Sequence, residues 1–258
     1  MTACRRDIRY GDDASQRADL HLPSSGGRHP VVVVVHGGFW RVAYDRTLGE
    51  ALAADLAGRG WAAWNIEYRR VGNGGGWPET LADAAAAVDH LAELAGPHGL
   101  DLARVVAVGH SAGGHLAGWL AARGGLPGGA PGAHPIVQPV GVVSQAGVLD
   151  LRDGAEQRLG RGAVAQLMGG RPDALPDRYA LASPIERLPT GVPTVCVHGR
   201  DDDVVPLRQS ERFAAAALQA GDPCEVRVVD GDHFVLIDPA TSAWASALDA
   251  IEGWITPA

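Results

Sequence analysis

Residues 105–114 have the sequence VVAVGHSAGG, in which a β-branched apolar run ends in a Gly-His-Ser-Ala-Gly turn. Glycines on both sides of Ser111 permit a sharp bend from a strand into a helix. Such a bend would hold the Ser111 hydroxyl outside the fold, beside the N–H groups of a helix N-terminus. The pattern is short and the chain has 35 glycines, so it indicates a catalytic serine only if the sequence also supplies a base, an acid and an oxyanion site.

Other apolar segments predict the sheet around this turn. Residues 31–35 are five consecutive valines, which is typical of a strand covered on both faces in a parallel sheet. Segments 7–10 and 17–22 flank a turn-rich stretch and predict an N-terminal hairpin. The remaining predicted strands are 62–66, 105–108, 140–143, 194–197 and 225–229.

Helical patterns alternate with these strands, most clearly at 80–94, 207–220 and 240–254. This alternation requires crossover connections and predicts an α/β fold with a mostly parallel central sheet of about eight strands flanked by helices. Two tryptophans of the last helix, Trp244 and Trp254, are core or interface residues, so a homodimer is one outcome that the sequence allows.

Two segments interrupt the alternation of strands and helices. Residues 123–139 are dense in glycine and proline and predict an irregular loop. Residues 151–188 contain only one short helical candidate, at about 161–168, and we expect a small lid-like insertion here. The alternative for this insertion is a plain surface excursion.

Length, composition and net charge limit the classes of protein to which the chain can belong. A chain of 258 residues that is 46% apolar predicts a single domain over 1–258, and no apolar run is long enough to span a membrane. The first residues include no apolar signal-peptide core, and the three cysteines are too scattered for a disulfide framework, so we expect a cytoplasmic protein. A net charge of −8 argues against a nucleic-acid partner.

An oxyanion site is predicted directly after the valine strand, where residues 36–40 read His-Gly-Gly-Phe-Trp. The glycines let the backbone approach a ligand, and N–H groups of Gly37, Gly38 and Phe39, with that of Ala112 after the serine, can hold a developing negative oxygen. The alternative is an ordinary tight turn. Phe39 and Trp40 favour a site, because large apolar residues beyond a Gly-Gly turn are typical of a pocket wall.

An acid and a base follow later predicted strands. Residues 198–206 include three adjacent aspartates, any of which could orient a histidine, remain solvated or cap the next helix. His233 follows the last predicted strand and is the candidate base, whereas His110 and His115 flank the serine turn as packing or pocket residues. A metal site is not expected, because the sequence has no His-x-x-x-His or Cys-x-x-Cys pair.

The order of these elements, Ser then Asp then His, is the triad order of α/β-hydrolases. The chain resembles that superfamily, and within it the esterase/lipase group with a His-Gly-Gly-x oxyanion motif. Its His-Gly-Gly-Phe-Trp stretch is closer to the His-Gly-Gly-Tyr-Trp of animal-type kynurenine formamidases than to the His-Gly-Gly-Gly of lipase-like esterases. Tyr68-Arg69 and Ser183-Pro184-Ile185 are further shared features, although Ile66-Glu67 displace an asparagine that the formamidases carry before Tyr-Arg.

The resemblance implies that Asp202 is the acid, because the family pattern His-Gly-x-x-Asp-x-x-Val-Pro places it there, with Val205-Pro206 completing the pattern. It also implies a Ser111–His233–Asp202 triad and an acyl-enzyme intermediate without a metal or organic cofactor. We expect a carboxylesterase for small esters, with Phe39, Trp40 and His110 contacting the substrate. The alternatives are an arylformamidase acting on N-formylkynurenine and a non-catalytic small-molecule-binding protein on the same fold.

Overall fold

A computed structural model describes residues 2–256. Its eight strands are β1 (Ala3–Arg9), β2 (Arg17–Leu22), β3 (His29–Val35), β4 (Ala62–Ile66), β5 (Leu100–His110), β6 (Gly141–Gln145), β7 (Thr194–Gly199) and β8 (Cys224–Val229). They form one sheet in the order β1-β2-β4-β3-β5-β6-β7-β8. The β1–β2 and β2–β4 pairs are antiparallel and the other neighbours are parallel, which confirms the predicted sheet.

The five valines of β3 show why the central strands are apolar throughout. Val31, Val33 and Val35 pack into the core on one face of the sheet, while Val32 and Val34 pack into the core on the other. All five are at most 2% exposed. Since successive side chains of a strand point to opposite faces, a strand covered on both faces must be apolar at every position.

Helices cover both faces. They are α1 (Glu50–Gly58), α2 (Glu79–Asp89), α3 (Leu91–His98), α4 (Ala112–Ala122), α5 (Leu151–Glu156), α6 (Leu159–Met168), α7 (Pro176–Ala182), α8 (Arg208–Ala220) and α9 (Ser242–Ile255). The predicted helix at 80–94 is two helices, α2 and α3, which meet at His90. Helix α1 was not predicted.

The interpretation of 151–188 as largely irregular is wrong, because this insertion folds into α5, α6, α7 and a short 3-10 turn. Within α6, Gly160, Arg161 and Gly162 have left-handed φ values of +55°, +58° and +83°. This left-handed turn interrupts the 3.6-residue periodicity from which a helix is predicted. The loop predicted at 123–139 is confirmed, since only a single 3-10 turn, Arg123–Gly125, forms there.

Helix α9 contributes to the core rather than to an exposed surface. Trp244 is fully buried, and its indole N–H donates a hydrogen bond of 2.8 Å to Asp55 of α1. Trp254 is partly buried and packs on Gly141, where a Cβ atom would overlap the indole ring. Among residues 2–256, no helix is both long enough and apolar enough to cross a membrane.

The parallel strands bring the predicted functional segments together. The loops that follow β3, β5, β7 and β8 leave the sheet at its carboxyl edge, since these strands run in the same direction. In open α/β sheets, ligands bind at this edge. The Gly-Gly turn, the serine, the aspartate cluster and His233 therefore lie on one side of the molecule.

Candidate active site

Ser111 stands at the sharp turn between β5 and α4. Its φ and ψ are +56° and −117°, a conformation that non-glycine residues rarely adopt. A Cβ atom on Gly109 would overlap the carbonyl oxygen of Gly113, and one on Gly113 would overlap that of Val35. Both glycines of the motif are therefore required by close backbone packing, as the sequence predicts.

Unused backbone donors surround this turn. Gly38 follows β3 with φ +108°, and a Cβ atom on Gly37 would lie 2.8 Å from the His110 carbonyl oxygen, so both positions require glycine. Within residues 2–256, the N–H groups of Gly38, Phe39 and Ala112 donate no hydrogen bond to another protein atom. They are free to bind the oxygen of a ligand.

Of the three adjacent aspartates, Asp202 contacts His233. His233 Nδ1 lies 2.7 Å from Asp202 Oδ2, so the ring donates to the carboxylate there and Nε2 is left as an acceptor. The other carboxylate oxygen accepts hydrogen bonds from the N–H groups of Val204, at 2.9 Å, and Val205, at 2.8 Å. Burial acts to raise the pKa of Asp202, but the hydrogen bonds from His233 and these N–H groups outweigh it and hold the pKa below 3.8.

Ser111 and His233 line one cavity of about 150 Å³. No hydrogen bond joins their side chains in the described part of the chain, and such bonds are often long before substrate binds. Both residues are at most 3% exposed, so this cavity is their route to a ligand. Its other lining residues are Gly38, Phe39, Tyr44, Leu48, His110, Val204, Phe234 and Ile237.

His110, which also lines the cavity, packs against the His233 ring. Its Nε2–H donates a hydrogen bond of 2.9 Å to the His233 backbone oxygen. Burial, followed by the charge on His233, lowers the pKa of His110 to about 3, so this imidazole is neutral at ordinary pH. A neutral, buried ring of this kind packs and positions its neighbour rather than exchanging protons.

The structure does not bring Trp40 to the cavity, unlike Phe39 and His110. Trp40 is 1% exposed, and its indole N–H donates a hydrogen bond of 3.2 Å to His115 Nδ1. Its left-handed φ of +54° turns the ring into the core instead of toward the serine. His115 in turn donates from Nε2 to the Ala182 carbonyl oxygen of α7, at 3.0 Å.

Glu67 is a residue whose role the sequence did not reveal. This buried carboxylate accepts a hydrogen bond of 2.9 Å from His36 Nε2 and one from the backbone N–H of Arg46, and it lies 3.3 Å from the Arg70 guanidinium. The His36 ring also stacks on Tyr68, with centroids 4.4 Å apart. An acidic residue at the end of the buried strand β4 was the available signal, since a buried charge requires partners.

The cavity residues Tyr44, Leu48, Val204, Phe234 and Ile237 were also missed, because they come from loops that no sequence motif marks. In residues 2–256, no three His, Cys, Asp or Glu side chains are grouped so that they could hold a metal ion.

Comparison with known proteins supplies independent findings. A family model described as BD-FAE matches residues 18–217. A probable isoprenylcysteine alpha-carbonyl methylesterase from Oryza sativa subsp. japonica is 28% identical over 236 residues, which cover 88% of this chain and 56% of that protein. Esterase LipC of Mycobacterium tuberculosis is 29% identical over 256 residues, which cover 92% of this chain and 61% of that protein. The chain thus spans little more than half the length of these relatives.

The fold also matches a solved structure. A truncated form of a carbohydrate esterase from gut microbiota has a TM-score of 0.87 to this chain at 22% identity. The superposition covers 99% of this chain and 97% of that one. A likeness at this level of identity concerns the arrangement of the sheet and helices.

Proposed function

The chain belongs to the BD-FAE family, an α/β-hydrolase esterase family, and we propose that it is a carboxylesterase that cleaves small esters with Ser111, His233 and Asp202. Family membership and the matching solved structure confirm the predicted α/β-hydrolase fold. The single observation that carries the proposal is that Ser111 and the Asp202-bound His233 line the same cavity.

The chemistry proceeds in two halves. His233 Nε2 takes the Ser111 proton as Oγ bonds to the ester carbonyl carbon, and Asp202 stabilises the imidazolium that forms. The oxygen of the tetrahedral intermediate binds the N–H groups of Gly38, Phe39 and Ala112. The C–O bond to the alcohol then breaks, and His233 gives its proton to that alcohol. Water, activated by His233, releases the acid and restores the serine.

The cavity favours a short, uncharged acyl group. Its volume is only about 150 Å³. No Asp, Glu, Lys or Arg side chain of residues 2–256 lines it. Phe234 is 61% exposed and Tyr44 is 45% exposed, which marks the open side through which the alcohol leaves. Leu48 and Ile237 form part of the apolar wall.

An ester is favoured over an aryl formamide. The formamidase alternative rests on the aromatic pair that follows the Gly-Gly turn, and only Phe39 of that pair lines the cavity. Both curated relatives described above are named esterases.

Rates on p-nitrophenyl acetate and N-formylkynurenine, measured with the same preparation, separate the two functions. We expect faster turnover of the acetate and its loss in Ser111→Ala with folding retained. A strong preference for the formamide would replace the ester proposal, and full activity of Ser111→Ala would overturn the mechanism.

A further inference from the structure

The loop that follows β3 is held in an unfavourable conformation. Gly38, Phe39 and Trp40 have consecutive φ values of +108°, +54° and +54°. A left-handed conformation costs roughly 1–2 kcal/mol for a non-glycine residue. Phe39 and Trp40 both incur this cost, so contacts elsewhere must hold the loop in the form that places Gly38 and Phe39 in the cavity wall with their N–H groups unbonded.

One end of the loop is held by Trp40. Its carbonyl oxygen accepts a hydrogen bond of 2.8 Å from the Val71 N–H, and its indole N–H is bonded to His115. These contacts fix the buried end. They do not involve Phe39, which lines the cavity and whose N–H donates no hydrogen bond within residues 2–256.

Arg41 joins the Phe39 end of the loop to the insertion. Its guanidinium donates to the Gly160 carbonyl oxygen at 2.7 Å, and through Nε and Nη2 to Gln166 Oε1 at 3.0 and 2.9 Å. The partners lie 119 and 125 residues further along the chain, at the start and on the exposed side of α6. The guanidinium carbon also lies 5.7 Å from the centroid of the Phe39 ring, within the range of a cation–π interaction.

Gly160 also contacts the Phe39 ring directly. Its φ is +55°, and a Cβ atom at this position would overlap that ring. The phenyl ring therefore packs on the backbone of the insertion at the residue whose carbonyl binds Arg41. The loop that carries Phe39 is therefore packed against and hydrogen-bonded to α6.

We propose that Arg41 is a positioning residue for ester hydrolysis: by binding Gly160 and Gln166 of the insertion, it holds the Phe39 and Gly38 N–H groups in place for the oxyanion. This inference rests on the proposed function. Arg41 does not touch the reacting atoms; it acts through Phe39. The insertion then supports the catalytic loop, although none of its residues lines the cavity.

The test compares kcat and KM for p-nitrophenyl acetate in Arg41→Met, Arg41→Lys and Gln166→Leu. We expect Arg41→Met to lower kcat about tenfold with KM within about twofold, because a misplaced oxyanion donor acts on the transition state. Arg41→Lys, which keeps one charged donor, should recover part of the loss. Arg41→Met combined with Gln166→Leu should be little worse than Arg41→Met alone, since both remove the same contact.

Arg161→Met is the matched control. Arg161 is an exposed arginine next to Gly160, and its side chain makes no hydrogen bond within residues 2–256, so its replacement should leave kcat unchanged. An unchanged kcat in Arg41→Met, an equal loss in Arg161→Met, or additive losses in the double variant would overturn the proposal. If Arg41→Met does not fold, the test is made with Gln166→Leu instead, which removes the acceptor of Arg41 at an exposed position and should also lower kcat. A wild-type protein without esterase activity would instead overturn the proposed function.

Discussion

The imidazole of His110 packs against that of His233, with ring centroids 4.3 Å apart, while its Nε2–H binds the His233 backbone oxygen. The residue before the serine therefore positions the base. His110→Phe keeps a ring but leaves a buried carbonyl oxygen unpaired, which costs about 1–3 kcal/mol. We expect kcat for p-nitrophenyl acetate to fall about tenfold as His233 loses its support. A kcat equal to that of wild type, measured well below the unfolding temperature, would show that this contact is dispensable.

Asp202→Asn should lower kcat by about 10⁴-fold, the size of effect measured when the acid of a serine-protease triad is replaced in this way. The amide cannot stabilise the imidazolium of His233. The neighbours Asp201 and Asp203 are exposed and provide controls of the same chemistry, so Asp201→Asn and Asp203→Asn should retain wild-type kcat. If either control lost as much activity as Asp202→Asn, the assignment of the acid would fail.

The buried imidazoles of His110 and His115 should make the free energy of unfolding fall at acidic pH. Burial lowers the pKa of His110 to about 3 and that of His115 to about 4, against about 6.5 for an unfolded histidine. Between these values the unfolded chain binds a proton that the folded chain does not, so stability falls as pH drops below about 6.5.

Each of these histidines contributes a slope of about 1.4 kcal/mol per pH unit to the free energy of unfolding. His115→Gln should therefore flatten the dependence between pH 6.5 and 4.5 in urea unfolding, whatever its effect on absolute stability. His134→Gln, at an exposed site, is the control. Identical slopes in wild type and His115→Gln would contradict the neutral, buried state of His115.

The length of acyl chain that the enzyme prefers should depend on Leu48 and Ile237. These residues and His110 line both the active-site cavity and a second internal cavity of about 10 Å³. Truncating either apolar side chain joins the two spaces, so Leu48→Ala and Ile237→Ala should shift the preferred p-nitrophenyl ester from acetate toward butyrate or hexanoate. Ile136→Ala, at a residue 72% exposed and outside both cavities, should keep the wild-type profile. If all three variants showed the same dependence of activity on acyl length, Leu48 and Ile237 would not limit the length of the acyl chain.

Replacing glycines by alanine distinguishes positions where only glycine fits from positions where a side chain is tolerated. Gly113→Ala places a Cβ atom on the Val35 carbonyl oxygen and should prevent formation of the serine turn, with loss of activity and stability. Gly58→Ala, in α1 with no atom within 4 Å of the new Cβ, should raise the free energy of unfolding by about 0.5–1 kcal/mol. Urea unfolding measures both effects. A stable, active Gly113→Ala would contradict the described turn.

The strands of the sheet could be predicted because buried β-branched runs such as 31–35 are short, local signals, and their alternation with helices indicates a mostly parallel sheet. The order of the strands in the sheet was not predicted. The insertion could not be predicted, because left-handed residues at Gly160, Arg161 and Gly162 interrupt the periodicity that reveals a helix. Helix α1 is rich in alanine, and its apolar pattern is too weak to stand out.

The candidate site likewise has a part that could be predicted from the sequence and a part that could not. Glycine requirements and motif order locate Ser111, the Gly-Gly turn and His233, whereas the choice of Asp202 among three aspartates came only from the resemblance to the family pattern. The direction of a side chain depends instead on contacts between distant segments. Trp40 donates a hydrogen bond to His115, 75 residues away, and Glu67, just after β4, accepts one from His36, just after β3. Neither contact leaves a local pattern in the sequence.

The central claim, that His233 and the loop N–H groups activate Ser111, is tested most directly by reaction with a fluorophosphonate followed by mass spectrometry of the intact protein and its peptides. The account predicts one adduct per chain, located on Ser111, absent in Ser111→Ala and formed far more slowly in Asp202→Asn. An adduct on another residue, or an unlabelled Ser111 in folded wild-type protein, would contradict it.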